Sequence, residues 1–401
     1  MPGDMSSREL LEMLVLSPDE RAAMTVAATH TADFVICRNR IRIRANTRLP
    51  IDGFLLLYRQ LLAGSDTSQP ADLTLCCYYE NAGPDKSATF LIGDQAYRIR
   101  DADLMARPLV TMTYILFPNI RSHYLVHGGC VSRNGQGIII SGASGMGKTT
   151  LTTYLASRSM RLLSDEFSPI HRTEATVDPF PLSLGIRPGP ARELTRDLPG
   201  VDYAFGTDLK KLVDAGTIGA GPASEPVPLH AVVFLSQRPG HEVATAAKFD
   251  GTAQVSFMNA TPEFREDLLA EAHATLTKEE SLGYGVVTWH LVVKEPGQFL
   301  QTLYAVAGRH GVPIAGLEYE DLDDSDYSKS PEMVEIPKSA GVIELIKKVL
   351  PYQKRALLDS EFRGSMPGMI GELGRLVQHA AFYKMRPGRL NEMIALVENL
   401  P

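Results

Sequence analysis

Residues 142–149 carry side chains of the types and at the spacing that bind a nucleotide phosphate. Gly142, Gly147, Lys148 and Thr149 satisfy the Walker A pattern, G-x-x-x-x-G-K-[ST]. The glycines let the backbone wrap around phosphate oxygens, Lys148 neutralises the β and γ charge, and the Thr149 hydroxyl is placed to ligate Mg²⁺. The residues predicted to contact ATP are Gly142, Ala143, Ser144, Gly145, Met146, Gly147, Lys148, Thr149 and Thr150.

The segments on either side of this loop have the periodicity that a phosphate loop requires. "GIIIS" before it is a short apolar, β-branched run typical of a buried strand. "TTLTTYLASRSM" after it indicates a helix whose N-terminus would face the anion. The context therefore favours a phosphate site over a chance glycine-rich turn.

A hairpin is predicted to lead into the loop. Asn134-Gly135 is the favoured dipeptide of a two-residue type I′ turn, which would pair residues 127–133 with residues 136–142. Counting outward from the turn places His127 opposite Gly142, so an imidazole would lie at the mouth of the loop, where it can donate to phosphate. A strand-end histidine satisfied by the backbone remains the alternative, because a register inferred from a turn can slip.

Two consecutive carboxylates follow in the segment "RLLSDEFSPI". Leu162 and Leu163 indicate a strand that returns beside the first and ends at Asp165 and Glu166. Side chains alternate along a strand, so one carboxylate can serve a metal and the other a substrate. Phosphoryl transfer to a hydroxyl needs such a set, although an exposed acidic pair without a function is the alternative.

The remainder of the chain predicts an N-terminal domain and an interrupted catalytic domain. Residues 1–122 read as a mixed α+β domain, with a helix in residues 6–24 and strands continuing to residues 108–120. Residues 123–401 form the second domain, with a buried strand at 229–237 and a strand, turn and helix at 380–400. An α/β insertion is predicted at 256–322, alternating strand, helix, strand, helix, strand. An acidic linker at 319–332 follows, preferred to a calcium loop.

Composition limits the classes of function. A length of 401 residues allows two to three domains, and a net charge of -7 provides no basic footprint for nucleic acid. The four cysteines lack disulfide or zinc spacing and are expected to be free thiols. We found neither a signal peptide nor an apolar run long enough to span a bilayer, so the protein is expected to be cytoplasmic and without a membrane partner.

Taken together, "HGG" before a hairpin, "GASGMGKTT" and "LLSDE" resemble the HPr kinase/phosphorylase family and its related serine kinases, chiefly over residues 123–187. The resemblance implies an α/β fold whose P-loop core is shared with phosphoenolpyruvate carboxykinase. It implies active-site roles for His127, Lys148 and Asp165, with Asp165 accepting the proton of the attacking serine. The second family carboxylate is usually Asp, whereas here Glu166 would ligate Mg²⁺ with Thr149.

The same resemblance suggests further site residues. "VDPFPLSLGIRPGP" falls where related kinases have a Pro-containing strand followed by a basic residue, so Arg187 is the candidate for binding phosphate. This segment departs from the glycine-containing signature of the bifunctional enzymes, and the reverse reaction is therefore not expected. Arg386 and Arg389 are interpreted as turn residues in preference to substrate contacts.

The resulting prediction is an ATP-dependent phosphotransferase that modifies a serine of a peptide or small protein, such as a lasso-peptide precursor, and that forms a homo-oligomer. One alternative is a small-molecule hydroxyl kinase or a decarboxylating relative of the carboxykinase, which acceptor size would distinguish. Another is a nucleotide-binding sensor without transfer. Intact Asp165 and His127 disfavour the sensor.

Overall fold

The structure is a computed structural model of the chain. It describes residues 11–63, 68–80, 87–99, 111–142, 146–187, 189–205, 208–236, 251–283, 286–293, 296–312, 314–321 and 329–401, and the statements below concern these residues. Their secondary structure is mixed α/β, with four sheets.

The first sheet has six strands in the order β1-β6-β5-β4-β3-β2. Its strands are β1 (Leu11–Leu14), β2 (His30–Ile36), β3 (Asn39–Ala45), β4 (Leu73–Glu80), β5 (Ser87–Ile92) and β6 (Gln95–Ile99), with helices α1 (Pro18–Ala27) and α2 (Leu49–Tyr58). Alternation in β3 buries Ile41 and Ile43 completely and turns Arg40, Arg42 and Arg44 to the other face.

Two predictions in this region are wrong in part. The helix predicted at 6–24 begins only at Pro18, where Ser17 and Glu20 form a capping box. Leu11–Leu14 instead pairs with β6, so tertiary pairing overrides the helical spacing, and residues 6–10 lie outside the described residues. In the strand segment predicted up to residue 120, Met112–Leu116 is a π-helical turn and Phe117–Asn119 a 3₁₀ turn. An apolar run buried on several sides has no periodicity that distinguishes helix from strand.

The central sheet has nine strands and contains the hairpin and the phosphate loop. They are β7 (His123–His127), β8 (Gly129–Arg133), β9 (Gln136–Gly142), β10 (Arg161–Ser164), β11 (Phe167–His171), β12 (Thr176–Val177), β16 (Val227–Leu235), β21 (Glu332–Glu335) and β22 (Ala381–Arg386). The order is β10-β8-β9-β16-β12-β11-β7, and β22 pairs with both β16 and β21. β9, β16 and β22 run parallel. β10 therefore lies beside β8 rather than beside the strand of the phosphate loop.

Helices cover both faces of this sheet. They are α3 (Lys148–Arg158), α4 (Pro190–Leu194), α7 (Lys338–Lys348), α8 (Pro351–Ser360), α9 (Met366–Leu376) and α10 (Leu390–Glu398). Ile138 and Ile140 of β9 share one hydrophobic cluster with residues of α3 and α10, while Ile139 belongs to the cluster that includes α7 and α9. A strand buried on both faces explains the continuous apolar run before the loop.

The segment predicted as an α/β insertion forms its own four-stranded sheet. Its elements are β17 (Gly251–Met258), α5 (Pro262–Glu271), β18 (Ala274–Gly283), β19 (Val286–Val293), α6 (Pro296–Arg309) and β20 (Ile314–Asp321). The antiparallel order β18-β19-β17-β20 and the β-α-β-β-α-β connectivity are ferredoxin-like. The sequence pattern did not predict β18, which lies at the edge of this sheet and carries several charged residues, as edge strands commonly do. Within the predicted acidic linker, residues 319–321 belong to β20, and residues 322–328 lie outside the described residues.

The tip of the β2–β3 hairpin docks into the central sheet. Cys37 and Arg38 have φ values of 52° and 60°, in the left-handed region that non-glycine residues rarely adopt. The Arg38 Nε and Nη2 atoms donate to the two carboxylate oxygens of Asp178 at 2.7 and 2.9 Å. Asp178 is 3% exposed and also hydrogen-bonds the Nε2 atom of the buried His123 at 3.0 Å. Arg38 thereby ties the N-terminal sheet to the end of β12 and, through Asp178 and His123, to the start of β7 in the central sheet.

The fourth sheet, of three strands in the order β13-β15-β14, completes the fold. Its members are β13 (Leu184–Ile186), β14 (Gly200–Phe205) and β15 (Asp208–Val213). Leu184, Ile186 and Val213 belong to the same hydrophobic cluster as Leu151 and Leu155 of α3. This packing places the small sheet against the helix that follows the phosphate loop.

Gly129→Ala should destabilise the fold by about 1–3 kcal/mol, because the added methyl group overpacks the contact between β8 and α3. A Cβ atom at position 129 would overlap the Thr152 hydroxyl and come within 3.1 Å of its Cγ2 atom. The double variant Gly129→Ala/Thr152→Ala should recover part of the loss, since it frees that space. Urea unfolding measures both effects.

Gly308→Ala is the matched control, because a Cβ atom there meets no atom within 4 Å. Its stability should equal or slightly exceed that of the wild type, since alanine favours helix. Equal stability of Gly129→Ala and Gly308→Ala would contradict the tight packing of α3 on β8.

Candidate active site

The hairpin before the phosphate loop forms as predicted near its turn. Asn134 and Gly135 have φ values of 52° and 76°, as a type I′ turn requires. Val131 pairs with Ile138 in the predicted register, and the ladder continues to Gly129.

The predicted pairing of His127 with Gly142 is wrong. The ladder ends at Gly129, and His127 belongs to β7, where it pairs with Phe167 of β11. The chain switches partners at Gly128, whose N–H donates to the Glu166 carbonyl and whose carbonyl accepts from the Ser168 hydroxyl. His127 nevertheless remains near the loop, because its carbonyl accepts a 2.7 Å hydrogen bond from the Ser141 hydroxyl.

The described ends of the phosphate loop are held together. Ala143, Ser144 and Gly145 lie outside the described residues. Gly147 adopts a left-handed conformation, with φ 87°, immediately before α3. The Lys148 Nζ atom donates to the Gly142 carbonyl at 2.7 Å, across the loop. Met146 is buried, and Thr149 and Thr150 are half-buried in the first turn of α3. The N-terminus of α3 therefore begins directly at the predicted phosphate-binding residues.

The two carboxylates at the end of β10 point to different environments, as predicted. Asp165 is 5% exposed, and its Oδ2 atom accepts a 3.3 Å hydrogen bond from the Thr149 hydroxyl. Its Oδ1 atom is buried and has no hydrogen-bond partner among the described residues. The Glu166 side chain is 36% exposed, and its Oε1 atom lies 3.8 Å from the His127 Nε2 atom. The structure thus brings His127, Thr149, Asp165 and Glu166 together.

Burial and the neighbouring Glu166 charge raise the pKa of Asp165 to about 7. The Thr149 hydrogen bond and the charges of Lys148 and Lys210 act in the opposite direction. A buried carboxylate in such surroundings is a common property of functional sites, although structural groups share it.

Lys210 was missed by the sequence analysis. It lies on β15, with its Nζ atom 3.8 Å from the position that a Cβ atom of Gly185 would occupy, so the glycine leaves room for the lysine side chain. Its neighbour Lys211 faces the other way and donates to the Thr195 and Arg196 carbonyls. The segment "DLKKLV" shows two adjacent lysines, and the sequence analysis did not assign them to different faces of a strand. Strand alternation was the signal that could have separated them.

Three predicted arginines have different surroundings. Arg187 is exposed directly after β13, the strand beside β15, and its role in binding phosphate stays a prediction. Arg386 pairs with Glu332 across β22 and β21 at 3.4 Å. Arg389 pairs with Glu392 at 2.5 Å at the start of α10. The contacts of Arg386 and Arg389 are structural.

Comparisons with known proteins add little to this geometry. No family model matches the chain, and no curated protein matches it. Among solved structures, the chain is similar to the Hpr(Ser) kinase/phosphatase from Coxiella burnetii, with 15% sequence identity, 30% of this chain and 72% of that chain covered, and a TM-score of 0.20. A similarity this low carries no argument about family or activity. The functional argument therefore rests on the residues.

Two further findings concern the predictions about the cysteines and about membrane-spanning segments. All four cysteines are free, as predicted, and the structure shows that all four are buried. In the described part of the chain, no helix is long and apolar enough to cross a membrane.

Proposed function

We propose that this protein is a kinase that transfers the γ-phosphoryl group of ATP to a serine hydroxyl of a peptide or protein. The observation that carries the proposal is the contact between the buried Asp165 carboxylate and the Thr149 hydroxyl, in the first turn of the phosphate-loop helix. It combines a phosphate-binding helix end with a group able to accept a proton, the two parts that phosphoryl transfer requires.

The nucleotide phosphates would bind at the N-terminus of α3. Unpaired N–H groups and the helix dipole favour an anion there. Lys148, now bonded to the Gly142 carbonyl, would exchange that neutral acceptor for the β and γ phosphate oxygens. The remaining residues from Gly142 to Thr150 would supply backbone donors.

The donor set fits Mg²⁺. Among the described residues, no three His, Cys, Asp or Glu side chains form a complete metal cage. Mg²⁺ commonly uses one or two carboxylates and completes its shell with phosphate oxygens and water. Thr149 and Glu166 would hold the ion. The Asp165 Oδ1 atom, which has no hydrogen-bond partner within the described part of the chain, is left as an acceptor for a proton. When bound, the ion would neutralise charge on the phosphates.

The other side chains would prepare the acceptor and stabilise the transferred group. Asp165 would take the proton of the serine hydroxyl as it attacks. His127, 3.8 Å from Glu166, would donate to the transferring phosphoryl group. Lys210 and Arg187 would add positive charge where the negative charge spreads during transfer. Each role follows from the group's chemistry and its element's position near α3.

The size of the chain outside the phosphate core supports a proposal for the acceptor class. The N-terminal sheet and the ferredoxin-like unit provide more surface than a compact phosphate-transfer core needs, which supports a polypeptide acceptor such as a ribosomal peptide precursor over a metabolite. A homo-oligomer without nucleic-acid or membrane partners is part of the same proposal. Fold alone does not determine the acceptor.

The proposal predicts Mg²⁺-dependent labelling of serine. Purified protein is incubated with Mg²⁺, γ-labelled ATP and a lysate of its source cells, which is then separated into protein, peptide and metabolite fractions. Label on serine in the protein or peptide fraction, absent without Mg²⁺, is the expected result. Label confined to metabolites would contradict the acceptor class. Nucleotide binding without label in any fraction would contradict transfer.

A further inference from the structure

A shallow pocket opens on the outer face of the N-terminal sheet. It has a volume of about 280 Å³ and is lined by Thr31, Arg42, Arg44 and Thr74. Each of these side chains carries a hydrogen-bond donor, and two carry a permanent positive charge. Such a lining is suited to oxyanions.

Strand pairing places these donors on one face. Thr31 of β2 pairs with Arg44, and Thr74 of β4 pairs with Arg42. Arg40 continues the line along β3, so the three arginines form a row, called here the arginine row. Because the row stands on β3, which is paired on both sides by β2 and β4, its backbone spacing is fixed.

The acidic partners of the arginine row are unevenly distributed along it. The Asp33 carboxylate, 3% exposed, accepts from the Arg40 Nε atom at 3.0 Å and from the Arg42 Nε atom at 2.8 Å. Asp72 accepts from the backbone N–H of Arg40, at the far end of the row. Within the described residues Arg44 has no acidic partner, and its Nη2 atom donates to the Ala28 carbonyl at 2.9 Å. Positive charge is therefore concentrated at the Arg44 end.

We infer that the arginine row binds an acidic peptide segment in extended conformation. Residues two apart on a strand are separated by about 6.6–6.8 Å, which is also the repeat of same-side side chains in an extended peptide. A carboxylate of such a peptide can thus meet Arg44, and the next carboxylate on the same side lies over Arg42. Arg42 and Arg40 share the single Asp33 carboxylate and both donate to Gln69, so they retain an excess of positive charge. A free phosphate could use only one end of the row. The inference rests on the proposed function only in assigning this segment to the acceptor polypeptide.

Fluorescence anisotropy of fluorescein-labelled hexaglutamate with the full chain tests the inference. Arg44→Gln should weaken binding at least about tenfold, since it removes charge-assisted hydrogen bonds. Thr31→Val/Thr74→Val keeps both the charge and the strand propensity and should weaken binding by about threefold. Arg48→Gln is the matched control, because Arg48 is 74% exposed and pairs with Asp52 on α2. Its affinity should equal that of the wild type.

Three outcomes would overturn the inference. The first is that the wild-type protein does not bind the peptide at millimolar concentration. The second is that Arg44→Gln binds the peptide with wild-type affinity. The third is that inorganic phosphate, at a concentration equal to that of the peptide carboxylates, displaces the peptide, which would identify a single-anion site. Lys148→Ala should bind the peptide normally, and its failure would place the probe at the phosphate loop. The assay contains no nucleotide, so its result is independent of whether phosphoryl transfer is found.

Discussion

Replacing Asp165 with Asn should lower the rate of phosphoryl transfer by at least ~10²-fold while nucleotide affinity stays within a few-fold of wild type. The amide has the same shape and can still accept a hydrogen bond from the Thr149 hydroxyl at the position now 3.3 Å away. It cannot take a proton from the attacking serine. Single-turnover transfer measures the first effect and calorimetric titration of the nucleotide the second.

Asp52→Asn is the control for loss of a carboxylate, since Asp52 is an exposed partner of Arg48 on α2. It should transfer phosphate at the wild-type rate. Near-normal transfer by Asp165→Asn would show that the proton acceptor is another group. A large loss of nucleotide affinity in this variant would instead assign Asp165 to binding.

Lys148→Ala should weaken nucleotide binding about ten- to a hundredfold and reduce transfer further. Removing a cation that hydrogen-bonds phosphate costs one or more charge-assisted interactions. The loss in transfer should exceed the loss in affinity, because charge on the phosphoryl oxygens grows during the reaction. Nucleotide titration and saturating-nucleotide rates separate the two contributions.

Lys338→Ala provides the control, because Lys338 is exposed in the first turn of α7, outside the phosphate loop. Its nucleotide affinity should be unchanged. If Lys148→Ala also bound nucleotide with wild-type affinity while remaining folded by its thermal midpoint, the phosphate loop would not be the nucleotide site. The proposed function would then be wrong as well, because it requires nucleotide binding at this loop.

The parts of the site that could be predicted from the sequence are those with strong local signals. The apolar run of β9 is buried on both faces, the Asn134-Gly135 dipeptide determines its own turn, and α3 begins at the loop. The different environments of Asp165 and Glu166 were predicted from strand alternation, and both residues lie in the bend directly after β10. Their distances from Thr149 and His127 depend on how separate strands assemble, and no short-range pattern contains that information.

The failures have long-range causes. His127 was assigned to the wrong strand, because the switch of partners at Gly128 is determined by β11, forty residues later along the chain. The α2 helix, "LPIDGFLLLY", was not predicted. Its sequence combines Pro, Gly and apolar residues, and the helix is stabilised by burial of Phe54 and Tyr58 against the N-terminal sheet. Propensity is weak in such a segment, and tertiary packing decides its conformation.

The contact between Arg38 and Asp178 has a consequence for chimeric proteins. The two left-handed residues at the hairpin tip, Cys37 and Arg38, cost about 1–2 kcal/mol each, and the contact with Asp178, 140 residues away along the chain, offsets this cost. A homologous N-terminal segment grafted onto this core without an arginine at the hairpin tip would leave Asp178 buried beside His123 with one counter-charge missing. The hairpin and the segment with Asp178, directly after β12, must therefore be exchanged as a pair, and a fusion junction between them would separate residues that depend on each other.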